Sequence, residues 1–124
     1  MIVSRSWKNK FSDAFRGLRE GVRGQSSFAV HFAIAAAVIA AAAVLRTSAA
    51  EWSILLLCMM VVLSAEMFNS ALEATARAIS GESNPHLRDA LDMASAAVLI
   101  AAMGSVVVGA ALFGNRIGAM LGWW

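Results

Sequence analysis

The chain is poor in the residues that build disulfides and metal centres. Its 124 residues include one cysteine, Cys58, and two histidines, His31 and His86. A single cysteine excludes an intramolecular disulfide. The histidines lie far apart in the sequence, and with one cysteine they do not form the ligand spacing of a zinc site. Cys58 lies inside an apolar run, where packing as a small hydrophobic residue is its simplest role.

Glycine-rich phosphate loops are also absent. The sequence contains neither GxxxxGK[ST] nor GxGxxG. A nucleotide bound by this chain would therefore be held by carboxylate-bound metal and by helix ends. No secretory signal is evident, because the first apolar run begins late and lacks a cleavage pattern.

Charge is missing from three long stretches, residues 24–45, 52–65 and 93–115. The chain is 60% hydrophobic with a mean hydropathy of +0.70, whereas soluble domains are roughly 45–50% apolar. A membrane-spanning helix needs about 20 apolar residues. We therefore predict an all-α membrane protein, a single domain over 1–124, with spans at about 26–46, 51–79 and 87–113. A soluble protein with a wholly buried core is the alternative.

The N-terminal segment has a different pattern. Large apolar residues recur every three or four positions with charges between them, at Trp7, Phe11, Phe15, Leu18 and Val22. This spacing predicts an amphipathic surface helix over about 7–23. Residues 1–27 carry six basic and two acidic residues. A basic segment beside an apolar span is typical of a membrane-surface anchor, so we expect no nucleic-acid partner.

The basic N-terminus also predicts orientation. Positively charged segments stay on the cytoplasmic side, which leaves the 46–51 link and the C-terminal tail outside. Three tryptophans then lie at the outer interface, Trp52, Trp123 and Trp124. Small residues crowd the first and third spans, over 35–43 and 94–97, and such faces let helices approach closely. Three spans enclose little volume, so we predict a homo-oligomer.

A polar stripe begins where the second uncharged stretch ends. Glu66, Asn69 and Glu73 are spaced i, i+3 and i+7, which places them on one face of a helix. An ionised group at mid-bilayer costs roughly 2.5–3.5 kcal/mol, less near the surface, so two on one stripe suggest a working site. Glu66 is a candidate general base. Its alternative role is a structural carboxylate, either paired with Arg77 or Arg88 or left neutral against a neighbouring helix.

The other polar residues have open alternatives as well. Glu73 could hold Mg²⁺, or it could be an ordinary interfacial charge. Asn69 could orient a phosphate or a hydroxyl, or it could hydrogen-bond to a neighbouring helix. Asp89 and Asp92 lie one turn apart at the start of the third span, and either could cap that helix. Asp92, which is followed by small residues, is the better candidate to face the site.

These residues bear a family resemblance. The segment Glu66-x-x-Asn69-Ser70-Ala71-Leu72-Glu73 resembles the signature of the small prokaryotic membrane diacylglycerol kinase and undecaprenol kinase family. The segment Asp92-Met93-Ala94-Ser95-Ala96-Ala97-Val98-Leu99-Ile100-Ala101 looks like the start of that family's last span. Phe15-Arg16-Gly17-Leu18 and Phe28-x-x-His31 are weaker matches to its surface helix and first span. The similarity covers nearly the whole chain, in order and with matching spacing.

The resemblance implies a fold, a reaction and roles. It implies three transmembrane helices plus a surface helix, assembled as a homotrimer in the bacterial inner membrane with a cytoplasmic N-terminus. It implies transfer of the γ-phosphate of MgATP to a lipid hydroxyl, of diacylglycerol or undecaprenol. Glu66 matches the catalytic base and Glu73 a metal-binding glutamate. Asn69 and Asp92 match polar residues around the nucleotide.

Three positions depart from the family pattern. Gln25 stands where a second metal-binding glutamate is usual, Leu91 replaces a lysine, and Arg77 replaces an aspartate. Arg77 or Arg88 could supply the missing positive charge to phosphate, because arginine grips phosphate through two hydrogen bonds. Arg77 could instead form an ion pair with Glu73, one turn away.

Two other functions remain as alternatives. The replacements at Gln25, Leu91 and Arg77 suit a non-catalytic membrane protein that binds lipid or a partner on the same scaffold. A proton-coupled transporter could also use an intramembrane glutamate. A transporter should place its carboxylate near mid-bilayer, whereas Glu66 and Glu73 fall at the end of the span.

Overall fold

Regular structure in this protein is α-helical throughout the residues that the computed structural model describes, which are 6–23, 26–79 and 83–124. The helices are α1 (Trp7–Val22), α2 (Ser26–Val44), α3 (Ala49–Ile79) and α4 (Pro85–Met120). The last three are long and apolar enough to cross a membrane. The predicted all-α class with three such helices is confirmed. The surface position of α1 and the homotrimer stay predictions.

Local sequence accounts for where the helices begin. The Ser6 hydroxyl accepts a hydrogen bond from the Asn9 amide at the start of α1. At the start of α3, Ser48 and Glu51 form a capping box, in which each side chain accepts from the other's backbone amide at 3.2 Å. The Asn84 side chain caps α4, and proline follows at the first helical position, where its missing N–H costs nothing.

Helix α3 lies at the centre of the bundle, and α1, α2 and α4 all pack against it. The buried apolar set is small and consists of Phe28, Ala42, Leu55, Val62, Ala76 and Ala94. Many large apolar side chains point outward instead, including Leu57, Ile100 and Val106, each about two-thirds exposed. Such an apolar exterior suits hydrocarbon or another copy of the chain as its surroundings.

The helix ends differ in detail from the predicted spans. Helix α2 stops at Val44 because Arg46 adopts a φ of 53°, which ends the helix with a left-handed residue. Helix α4 runs to Met120, seven residues past the predicted 113, and the chain turns only at Gly122, with a φ of 74°. No proline or left-handed residue interrupts α4 between 113 and 120, so the helix continues.

The end of the bundle formed by residues 45–51 and 115–124 is here called the turn end. Arg116 holds it together. Its guanidinium donates to the carbonyl oxygens of Leu45 and Arg46, both at 2.8 Å. These carbonyls follow the end of α2, where the helix leaves acceptors without internal partners. Arg116 therefore ties the end of α4 to the end of α2.

A buried carboxylate cluster as the candidate active site

Glu66 is the central residue of the opposite end, here called the site end, which comprises Ser27, His31, Glu66, Asn69 and Glu73. Only 4% of Glu66 is exposed. The Ser27 hydroxyl donates to Oε1 at 2.6 Å, and His31 Nε2 lies 3.4 Å from Oε2. The bond from Ser27 falls in the 2.5–2.7 Å range of hydrogen bonds to a carboxylate. Both partners come from α2, so Glu66 joins α2 to α3.

Asn69 and Glu73 form a second pair, beginning one turn further along α3. The Asn69 amide donates through Nδ2 to Glu73 Oε1 at 3.0 Å. Asn69 is buried and Glu73 is half-buried. In the described part of the chain, Asn69 Oδ1 and the nearby Ser70 Oγ are buried with no hydrogen-bond partner. An unsatisfied buried acceptor costs about 1–3 kcal/mol, which makes these atoms candidates for ligand contact.

The two carboxylates are too far apart to share one ion directly. Seven residues at about 1.5 Å of rise separate Glu66 from Glu73 by roughly 10 Å along the axis. Among residues 6–23, 26–79 and 83–124, no three histidine, cysteine or acidic side chains gather as a metal site. Glu73 and the unpartnered Asn69 oxygen do fit Mg²⁺, which prefers oxygen donors and takes one or two protein carboxylates with phosphate and water.

Asp92 lies at the same depth as this second pair. Helices α3 and α4 run antiparallel, and Ser105 Oγ of α4 lies 3.5 Å from the Cys58 carbonyl of α3. Asp92 is thirteen residues before Ser105, and Ala71 is thirteen residues after Cys58. Because both helices rise equally per residue, Asp92 falls at about the level of Ala71, between Asn69 and Glu73.

The remaining site candidates are not drawn into the cluster. Asp92, Arg88 and Arg77 are exposed. Across the described ranges, no hydrogen bond or ion pair joins them to Glu66, Asn69 or Glu73. The ion pairs weighed above as alternatives, Glu66 with Arg77 or Arg88 and Glu73 with Arg77, are therefore not formed there. Gln25 lies outside the described residues.

Two apolar recesses border the site end. One of about 250 Å³, here called the α2–α4 cavity, lies between α2, α3 and α4, and its walls include His31, Val62 and Ser105. The other, of about 1010 Å³, is called the α1 groove and is lined by residues of α1, α2 and α3 with Arg23, which follows α1. Leu63, one turn before Glu66, contacts both. Both recesses therefore extend to within one turn of Glu66 along α3.

Sequence reasoning missed Ser27 and His31 as partners of Glu66. A signal was present in the spacing. Glu66 lies nineteen residues beyond Thr47, and Ser27 lies nineteen before Arg46. In a helical hairpin that turns at 46–47, the two residues must fall at the same depth. A buried carboxylate needs donors, and the polar side chains of α2 near that level are Ser26, Ser27 and His31.

Comparison with known proteins places this arrangement in a family. The family model described as prokaryotic diacylglycerol kinase matches residues 12–113, which include all the site residues in the described ranges. The chain belongs to the prokaryotic diacylglycerol kinase family.

Two curated relatives of the chain carry kinase names. The undecaprenol kinase of Bacillus subtilis (strain 168) is 33% identical over 103 residues, which are 83% of this chain and 84% of the relative. The diacylglycerol kinase of Synechocystis sp. is 35% identical over 103 residues, which are 82% of this chain and 59% of that protein. The chain thus spans only part of the longer relative. No solved structure matches it significantly.

Proposed function

We propose that this protein is an integral-membrane lipid kinase that transfers the γ-phosphate of MgATP to the hydroxyl of a lipid, diacylglycerol or undecaprenol. Membership of the family and the names of the two relatives support a lipid kinase. Three apolar helices support a multi-pass membrane protein. The observation that carries the proposal is the buried Glu66 carboxylate, which accepts a short hydrogen bond from Ser27, lies 3.4 Å from His31 Nε2 and is one turn from a residue that lines two apolar recesses.

Glu66 acts as the general base. The lipid hydroxyl oxygen forms a bond to the γ-phosphorus while the bond from that phosphorus to the bridging oxygen breaks. The hydroxyl proton passes to Glu66, and ADP leaves with the bridging oxygen. A general base contributes typically 10²–10⁴-fold to such a step. Since phosphoryl transfer depends mostly on positioning and electrostatics, a buried base that already accepts a hydrogen bond from Ser27 suits it.

The second pair holds the nucleotide end of the reaction. Glu73 would hold the metal through its carboxylate. Asn69 would offer its unpartnered Oδ1 as an oxygen ligand for the metal or as a hydrogen-bond acceptor for the nucleotide. Mg²⁺, when bound, neutralises charge on the phosphates. Asp92 lies at the matching depth on α4 and helps position the nucleotide. Arg88 and Arg77 are long enough to reach phosphate from the exposed surface, and Gln25 is the remaining candidate for nucleotide contact.

The proposal includes a membrane location and an oligomeric state. The protein lies in the bacterial inner membrane with its N-terminus in the cytoplasm, α1 on the membrane surface and three copies forming a homotrimer. The basic N-terminal segment supports the orientation, and the small residues of α2 and α4 support close helix contacts between copies. A lipid head can then reach Glu66 without leaving the bilayer.

A second candidate is a non-catalytic lipid- or partner-binding protein on the same scaffold. It is favoured by one observation: no lysine or arginine of the described residues forms a hydrogen bond or ion pair with Glu73 or Asn69. A kinase normally supplies positive charge to the transferred phosphoryl group.

A phosphate-transfer assay decides between the two. Purified protein in lipid vesicles receives γ-labelled ATP, Mg²⁺ and either diacylglycerol or undecaprenol, with triacylglycerol as the matched lipid that lacks a free hydroxyl. A lipid kinase labels one or both alcohols and leaves triacylglycerol unlabelled. Failure to label any lipid alcohol, in protein shown to be folded and assembled, would favour the non-catalytic candidate.

A further inference from the structure

His31 is a titratable side chain that the proposed reaction does not use. It lies on α2 with 17% of its side chain exposed, and its Nε2 atom lies 3.4 Å from Glu66 Oε2. The same residue lines the α2–α4 cavity, whose walls are otherwise almost entirely apolar. The imidazole therefore contacts the proposed base and also borders the hydrocarbon recess beside it.

The two carboxylate oxygens of Glu66 have unequal partners. Oε1 accepts a short bond from the Ser27 hydroxyl at 2.6 Å. The contact from His31 to Oε2 exceeds the 2.7–3.2 Å usual for an N–H···O bond. Each carboxylate oxygen offers two acceptor sites. Oε2 is consequently the oxygen with more capacity left for an incoming hydroxyl.

Rotation of the carboxylate would exchange these oxygens. The terminal torsion of glutamate has a broad energy profile, so packing alone does not fix it. Contacts on both oxygens from one helix restrict it, because Ser27 and His31 are one turn apart on α2.

We propose that His31 is a positioning residue, which holds Glu66 Oε2 in the orientation that receives the hydroxyl of the acceptor lipid. This inference rests on the proposed lipid-kinase function. The imidazole acts through Glu66 and does not itself take part in bond making. A purely structural role, in which His31 only joins α2 to α3, is the interpretation that the experiment must exclude.

The experiment compares two replacements of His31. His31→Gln keeps an N–H donor at similar reach, whereas His31→Leu keeps apolar volume and removes the donor. His86→Gln is the matched control, because the same substitution is made at an exposed histidine. A second matched pair removes hydroxyls from α-helices: Ser27→Ala at the site, and Ser53→Ala in the first turns of α3, where Ser53 donates to the Ala49 carbonyl.

We expect His31→Leu to lower kcat about 100-fold, the scale of a misplaced catalytic group. His31→Gln should recover most of that loss, to within about tenfold of the wild type, and Ser27→Ala should lose about tenfold. The KM for MgATP should stay within about threefold in every variant, because the nucleotide end of the site is untouched. His86→Gln and Ser53→Ala should match the wild type.

Thermal unfolding of each variant in detergent separates positioning from structure. A structural role predicts that activity and stability fall together and that kcat of the folded fraction is unchanged. If His31→Leu keeps wild-type kcat, or if His31→Gln is no better than His31→Leu while both are folded, the inference is overturned. The wild type is assayed before any variant. If it phosphorylates no lipid, the proposed function and the inference are both overturned.

Discussion

The polar side chains at the two ends of the helix bundle differ in whether their hydrogen-bonding groups have partners. At the turn end, Arg116 donates to two helix-terminal carbonyls, and Trp124 Nε1 donates to Asn115 Oδ1 at 3.1 Å. The capping box of Ser48 and Glu51 completes that set. Each of these contacts satisfies a helix end or fixes the chain after it, so the polar groups of the turn end stabilise the fold.

At the site end, polar side chains are buried while part of their hydrogen-bonding capacity is unused. Glu66 is almost fully buried, and Asn69 Oδ1 and Ser70 Oγ have no partner within the described residues. Burying such groups costs free energy, and helix capping does not compensate for that cost. This difference supports the proposal that the turn end serves stability and the site end serves binding and chemistry, a division of roles that substitutions at the two ends can test.

Glu66→Gln should have the largest effect on activity. The amide keeps the shape of the side chain but cannot accept a proton, so kcat should fall about 10³-fold. Glu51→Gln is the matched control at the turn end of the same helix, where the side chain only caps α3. Initial rates of lipid phosphorylation measure both. Full turnover by Glu66→Gln would show that another group accepts the proton.

Glu73→Gln should raise the Mg²⁺ concentration that the reaction needs more than it lowers the rate at saturating Mg²⁺. Removing the carboxylate leaves a neutral amide, which is a poorer Mg²⁺ ligand. We expect the Mg²⁺ concentration for half-maximal rate to rise about tenfold or more, at constant ATP. Rates across a magnesium titration give the value, with Glu51→Gln again as the control. An unchanged titration curve would remove Glu73 from the metal site.

The sequence predicted the three apolar helices and the part of the site that lies on α3. The uncharged runs predicted α2, α3 and α4, because hydrocarbon allows few charges and no unpaired backbone. The period of the stripe placed Glu66, Asn69 and Glu73 on one face of α3. What it could not supply was the packing of α2 on α3, which brings Ser27 and His31 to Glu66. The hairpin spacing gives the depth of these side chains but not the rotation of α2, and the long apolar remainder of α2 has no polar pattern that predicts it.

The end of α4 was missed for a related reason. Residues 113–120 were predicted as a tail beyond the last span, yet they continue the helix, and Arg116 of this segment bonds to carbonyls that follow α2. A single arginine in an apolar stretch does not reveal its partner when that partner is a backbone carbonyl seventy residues away.

Arg116→Leu should lower stability rather than activity. It removes two hydrogen bonds from a guanidinium to helix-terminal carbonyls, and we expect a loss of about 2 kcal/mol in the free energy of unfolding. Arg46→Leu is the control, since it removes a cation from the same end, and the Arg46 side chain makes no hydrogen bond or ion pair with the described residues. Denaturant titration in micelles measures unfolding, and kcat of the folded fraction should match the wild type. A fall in kcat without a loss of stability would contradict the division between the two ends.

The smallest effect is expected where α1 meets α3. A Cβ added at Gly21 would overlap the sulfur of Met67, whereas one added at Gly17 would meet nothing. Alanine should stabilise either position by up to about 1 kcal/mol through helix propensity. At Gly21 the crowding of Met67 opposes that gain by about as much or more, although the flexible methionine can absorb part of it.

Hydrogen exchange of the α1 amides should resolve the difference. We expect roughly fivefold faster exchange in Gly21→Ala than in Gly17→Ala, and a return to the slower rate in the double variant Gly21→Ala/Met67→Ala. Equal exchange in both single variants would mean that α1 does not press against α3 at Met67. Because Met67 follows Glu66 and lines the α1 groove, that result would also remove α1 as a close wall of that groove. Glu66, Ser27 and His31 would keep their contacts within α2 and α3.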